Sequence, residues 1–284
     1  MVAFINNVKT AVLLGGLFAL LVAVGSVWGV QGMIVGGIVG AIMNFSMWFF
    51  SDRIAVASMR GREVDDKSAP ALVAMIRRLS ERAGLPMPRV YVCPQEAPNA
   101  FATGRNPRHA AVAVTVGALQ LLDARELEGV MAHELAHVKN RDTLTSTIAG
   151  TVAGVLSMLA QFGFYFGGNN REGGNPFVGL FVVIFGAIGA ALIQAMISRS
   201  REYVADADGA TIAGSPDGLA SALRKLDSYA RRVPLDQPNP ALNNLFIVEP
   251  AMRFGGSTLT SLFATHPPTE KRIAALLGSR GRAA

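Results

Sequence analysis

The chain predicts a mainly α-helical membrane protein, with four spanning helices and an α+β domain built around a small sheet. Three observations predict it. Of 284 residues, 51% are hydrophobic and only 16% are charged, a balance skewed away from soluble domains. The apolar residues are gathered into blocks, since 11–51, 143–170 and 173–198 hold no charged side chain. Elsewhere they return at the periods of amphipathic helices and short strands, as in a packed domain.

A spanning helix needs about 20 apolar residues, so the first block accommodates two. A tight turn near Trp28-Gly29-Val30-Gln31-Gly32 would join them. The block is too long for a removable signal peptide and lacks a small-residue cleavage site followed by polar sequence. The other two blocks supply one span each. Glycines four apart, at Gly36 and Gly40, Gly150 and Gly154, Gly163 and Gly167, would let such helices pack closely.

Orientation follows from the basic residues at the span ends. Lys9, Arg53, Arg60, Arg62, Lys139, Arg141, Arg199 and Arg201 fall on one side, against only Arg171, beside Glu172, on the other. An excess of lysine and arginine marks the cytoplasmic face, so both termini and the α+β domain are expected there. The expected division is a two-helix hairpin over 1–51, the first half of the domain over 52–146, a second hairpin over 147–198 and the second half over 199–284. With those residues assigned to anionic headgroups, the net charge of +6 needs no nucleic acid partner, and the bilayer takes that place. Cys93 is the only cysteine, so no intrachain disulfide can form, and it reads as strand core.

After the second span, residues 67–83 carry Leu72, Met75, Ile76 and Leu79 at helical spacing and stop at Gly84, with Pro86 beyond. That is an amphipathic helix. Short strands follow at 89–93, 100–103 and 109–116, separated by turn-rich sequence around Pro94 and Pro98. They read as a small antiparallel sheet. Asp123 and Glu126 then form a capping box, and Leu127, Val130, Met131, Leu135 and Val138 continue a helix. Beyond the fourth span, helices are expected over 202–212, from Ser215-Pro216-Asp217 to about Ala230, and over 269–278, with a loop or lid rich in Pro, Asn and Gly at 233–256.

The helix beginning at Asp123 contains His133-Glu134-Leu135-Ala136-His137. Spacing of i and i+4 stacks the two imidazoles on one face about 6 Å apart, where they can share a zinc ion. Glu134 lies beside the open coordination position, as a general base requires: zinc lowers the pKa of water to about 7, and a neighbouring carboxylate takes the proton. An extended peptide could add to an exposed edge of the sheet, with Asn99, Ala100 and Phe101 on one candidate strand and Ala110 to Val116 forming the other.

The third ligand must come from further along. A metzincin pattern requires a glycine and a histidine where the chain has Asn140 and Thr143. A glutamate about twenty residues on, as in thermolysin-like enzymes, would fall inside the uncharged third span. The motif helix enters that span within about 15 Å, and the fourth span returns the chain to the same face a few residues before Glu202. Glu202 is the expected third ligand. Asp206, one turn further on the same face, is the expected acceptor for the remaining N–H of a ligand histidine.

Taken together, the HELAH motif, Ser198-Arg-Ser-Arg-Glu-Tyr-Val-Ala-Asp-Ala-Asp-Gly-Ala210 and Thr265-His-Pro-Pro-Thr-Glu-Lys-Arg-Ile273 resemble the HtpX family of membrane zinc peptidases, related to the CaaX-prenyl proteases. Asn99-Ala-Phe-Ala-Thr-Gly104 resembles that family's strand beside the site. The resemblance covers essentially the whole chain. It implies a multi-pass endopeptidase of the inner membrane with a zincin-like catalytic domain facing the cytoplasm. One Zn²⁺ per subunit would sit on His133, His137 and Glu202, with Glu134 as base, and damaged or misfolded membrane proteins would be the substrates, in a stress-linked role. His266 is a candidate transition-state stabiliser or else a turn residue before two prolines, and His109 reads as a surface residue.

Two other readings use the same residues. Cleavage of lipidated C-termini would need a larger intramembrane chamber than four spans provide. A non-catalytic scaffold or holdase with structural zinc would close its fourth position with Cys or His, whereas this motif keeps a glutamate that binds no metal.

Overall fold

The computed structural model describes residues 2–149, 151–152, 156, 199–232 and 267–278. Helices α1 (Val2–Gly25) and α2 (Gly29–Phe49) form an antiparallel hairpin closed by a single 3₁₀ turn and by Gly29, whose φ of +74° suits a residue without Cβ. Both are long and apolar enough to cross a membrane. Val30, Ile34, Ile38, Ile42 and Phe45 of α2 point outward and exposed, which in water would be unfavourable and in lipid is not. The two helices touch where side chains are smallest. A Cβ on Gly36 would collide with the Leu21 carbonyl, and one on Gly40 would lie 3.1 Å from the Phe18 ring. The third and fourth expected spans, the loop over 233–256 and His266 lie outside the described residues, except for a helical run over 143–149 and residues 151, 152 and 156.

Below the hairpin come α3 (Ser51–Ser58), β1 (Arg62–Val64) and α4 (Pro70–Ala83). Pro70 starts α4, where its missing N–H costs nothing, and Gly84 in the left-handed region stops it. Then follow β2 (Arg89–Cys93), β3 (Ala100–Gly104), β4 (Ala110–Thr115), α5 (Val116–Leu121) and α6 (Ala124–Asn140). The expected capping box is formed: Asp123 accepts from the Arg125 and Glu126 amides, and the Glu126 carboxylate accepts from Asp123 N–H at 2.9 Å. Such a cap is worth about 1 kcal/mol. The described chain closes with α7 (Arg199–Ala213), α8 (Asp217–Arg232) and α9 (Thr269–Gly278).

The sheet is mixed rather than antiparallel, in the order β1-β2-β4-β3. β2 pairs with β4 in parallel, while β1 with β2 and β3 with β4 are antiparallel. The chain leaves β2, runs to the far edge as β3 and hairpins back, so β4 slots in beside β2 pointing the same way. The period of two is common to both pairings, which is why the sequence pattern does not give direction. Of the two candidate edge strands, β3 is at the edge and β4 is interior.

β4 is buried along its whole length because both its faces are covered. Val112 and Val114 face the main core with Leu72, Ile76 and Leu79 of α4, Val130, Met131 and Leu135 of α6, Leu219 and Leu223 of α8, and Ile273 and Leu276 of α9. Ala111 and Ala113 face a smaller cluster with Val56, Tyr91, Phe101 and Cys93. Burial raises the Cys93 thiol to about 11, consistent with an inert core residue.

Candidate metal centre

The site is built by the crossing of α6 and α7, which is close because of two small residues. Ala205 is fully buried, and a Cβ on Gly209 would lie 2.9 Å from the His133 Cα. Asn140 at the end of α6 donates to Asp208 of α7 at 2.8 Å. This contact puts Glu202 and Asp206, one helical turn apart, opposite the motif histidines.

His133, His137 and Glu202 offer one ligand atom each, all within 4.8 Å of one another. The two Nε2 atoms are 3.2 Å apart. Glu202 Oε2 is 3.7 Å from His133 Nε2, and its Oε1 is 3.5 Å from His137 Nε2. The opposite ring nitrogens meet acids: His133 Nδ1 is 3.0 Å from Asp206, and His137 Nδ1 is 3.3 Å from Asp142. A carboxylate holding the proton on Nδ1 leaves the lone pair on Nε2. For His133 a second contact agrees, since Arg272, which can only donate, is 3.4 Å from that Nε2.

Two facing lone pairs repel unless a cation lies between them. Four acids, Glu134, Asp142, Glu202 and Asp206, are all buried in this small volume. The site therefore favours positive charge. Burial alone would depress the His137 pKa, yet the hydrogen bond to Asp142 and the charges of Glu202 and Glu134 hold it up at about 9. Imidazole, imidazole and carboxylate converging with an acid in reserve is a donor set that fits a divalent transition metal.

Glu134 is not part of the cluster. Its Oε2 accepts the backbone N–H of Ala102 at 2.9 Å, which ties the motif helix to the edge strand. Burial raises its pKa, against the pull of His133 and His137 toward the charged form. Asn99 and Phe101 turn their backbone toward β4, as the Thr115 N–H to Asn99 carbonyl bond of 2.9 Å shows. Ala100 and Ala102 therefore turn theirs to the outer side.

Two residues absent from the sequence reading complete the surroundings. Arg272 of α9 is 1% exposed. Its Nη2 and Nε grip Asp206 at 2.7 and 2.9 Å, and its Nη1 lies 3.5 Å from Glu202. Burial opposes its charge, but the bond to Asp206 and the charge of Glu202 raise its pKa. Asp142 receives Asn6 Nδ2 at 2.7 Å and Arg201 at 3.3 Å on the oxygen turned away from His137. A signal for Arg272 did exist, because it directly precedes the apolar Ile273 in a segment already singled out. His109 is exposed, in a turn that Asn106 caps by accepting the His109 N–H at 3.1 Å.

Comparison with known proteins identifies the family. The model of a family described as Peptidase family M48 matches residues 66–280. A "Protease HtpX homolog" of Desulforapulum autotrophicum is 50% identical over 279 residues, spanning 95% of this chain and 89% of that protein. Its namesake in Methylibium petroleiphilum is 49% identical over 277 residues, spanning 96% and 97%. A crystal structure of S. mikatae Ste24p superposes with a TM-score of 0.49 at 18% identity, over 96% of this chain and 65% of that one. The chain belongs to peptidase family M48, among the HtpX proteases, and is a membrane metalloprotease.

Proposed function

We propose that the protein is a zinc endopeptidase of the inner membrane that hydrolyses misfolded or damaged membrane proteins at a site facing the cytoplasm. The observation that carries the chemistry is the separation of the four acidic and basic groups into two sets. His133, His137 and Glu202 converge, while Glu134, on the same helix, is held just outside the cluster by the Ala102 N–H.

His133, His137 and Glu202 would hold one Zn²⁺. Zinc, when bound, supplies the Lewis acidity that polarises a peptide carbonyl and eases deprotonation of water. Glu134 takes the proton from the attacking water and delivers it to the leaving amine. Its buried carboxyl, raised in pKa, is better matched to that exchange than an exposed glutamate. Asp206 keeps the His133 ring in one tautomer, and Arg272 keeps Asp206 in place.

Substrate binding falls to β3. The outward backbone groups of Ala100 and the Ala102 carbonyl, the Ala102 N–H being held by Glu134, are flanked by Asn99 and Phe101 and can pair with an extended peptide with little regard for its side chains. That suits a quality-control enzyme whose substrates share an unfolded backbone and no sequence. The basic residues flanking the α1–α2 hairpin support the cytoplasmic orientation. Two further spans within 147–198 and an oxyanion contact from His266 complete the proposal.

The test is degradation of a denatured membrane protein by the full chain in detergent. Cleavage is expected to stop on chelation and return with added zinc, and Glu134→Gln should keep zinc without cleaving. Normal cleavage by that variant would remove Glu134 from the mechanism.

A further inference from the structure

The motif helix does not end in a glycine. Arg141, at φ +58°, takes the left-handed position, its N–H bonding Val138 O at 3.2 Å and the next N–H, of Asp142, bonding His137 O at 3.0 Å. This reverse turn is the Schellman pattern. It folds Asp142 back along the helix it has just left, so that its carboxylate reaches the ring of His137, five residues earlier in sequence. Asp142 thus stands to His137 as Asp206 stands to His133.

Asp142 is held by Arg201 of α7 at 3.3 Å and, more closely, by the first membrane helix. Asn6, near the start of α1, is 3% exposed. Its amide donates to Asp142 Oδ1 at 2.7 Å and lies 3.4 Å from both the Asn140 and Arg141 carbonyls, which α6 leaves unpaired at its end. One turn on, Thr10 meets Thr145 at 3.0 Å, and Leu13 and Leu17 pack against Ile148, Ala149 and Val152. A buried asparagine near the end of a spanning helix is costly unless paired. Here each of its donor contacts goes to the turn beneath the metal cluster. The oxygen of Asp142 that Asn6 holds, together with Arg201, is not the one that meets His137, so Asn6 helps set the rotation of the carboxylate without competing for it.

We propose that Asn6 and Asp142 are positioning residues for His137, so that docking of the first membrane helix sets the zinc affinity of the cytoplasmic site. The membrane hairpin is then part of the metal site's scaffold as well as an anchor. The inference rests on His137 being a zinc ligand, as proposed above.

The test is zinc affinity of the full chain in detergent, read by competition with a chromophoric chelator, for wild type, Asn6→Leu, Asp142→Asn, the double variant and Thr10→Val. Removing a partner that orients a ligand histidine costs 10–100-fold in affinity. Asn6→Leu and Asp142→Asn are each expected to lose about tenfold or more, and the double variant no more than Asp142→Asn alone, because Asn6 acts through Asp142. Thr10→Val loosens α1 without touching Asp142 and is expected to leave affinity unchanged. An unchanged Asn6→Leu, multiplicative losses, or an equal loss in Thr10→Val would each overturn the proposal. Failure of the wild type to bind zinc would instead overturn the reading on which it rests.

Discussion

Arg272 and Asp206 form a two-pronged ion pair, at 2.7 and 2.9 Å, with both side chains almost wholly excluded from solvent. Breaking such a pair from one side leaves an uncompensated buried charge and costs about 3–5 kcal/mol. Arg272→Gln is therefore expected to lose stability on that scale in chemical denaturation. Arg272→Lys keeps the charge but not the fork, and should lose less.

The same pair makes stability pH-dependent in acid. Burial would raise the Asp206 pKa, but its bonds to Arg272 and His133 bring it from an ordinary 3.8 to about 2. A depressed carboxylate stabilises the fold above its unfolded pKa and loses that contribution as pH falls through the folded value. At about 1.4 kcal/mol per pKa unit, the contribution is on the order of 2 kcal/mol, lost as the pH is lowered from about 4 to about 2. The stability difference between metal-free wild type and Asp206→Asn should shrink across that window.

Gly209→Ala reverses a usual rule. Replacing a helical glycine with alanine gains about 1 kcal/mol from propensity. At this position the new methyl would lie 2.9 Å from His133 Cα and 3.0 Å from its N, forcing α7 away from α6. The expected outcome is a net loss of about 1–3 kcal/mol in denaturation, with weaker zinc binding by chelator competition because Glu202 moves with α7.

Ala102→Pro deletes the N–H that Glu134 accepts at an edge strand, where proline is tolerated. A hydrogen bond to a charged group is worth about 1.5–3 kcal/mol. Turnover of a model peptide is expected to fall by about tenfold or more on that basis. Zinc content should not change, since Glu134 lies outside the cluster.

How much of this the sequence carries depends on how local each cause is. The HELAH helix, its Asp123–Glu126 cap and the glycine-lined hairpin are readable because each depends on residues within a turn or two. Glu202 and Asp206 are readable because the uncharged blocks at 143–170 and 173–198 imply where the chain is expected to return. The strand order is not, because alternation of side chains is the same in parallel and antiparallel pairs. β1 is hidden by its brevity and charge, as Arg62-Glu63-Val64 carries no apolar pattern. Arg272 meets Asp206 across 66 residues, and Asn6 meets Asp142 across 136. Asp142 escapes notice because its reach to His137 depends on Arg141 adopting a conformation that favours glycine.

The central claim is that two imidazoles of α6 and one carboxylate of α7 bind a single ion. Anomalous diffraction at the zinc edge, from crystals of Glu134→Gln grown with zinc, tests it most directly. The account expects one peak per chain, about 2.0–2.2 Å from His133 Nε2, His137 Nε2 and a Glu202 oxygen. A zinc peak ligated by both histidines but with Glu202 remaining outside bonding distance, or a peak located elsewhere, would contradict it.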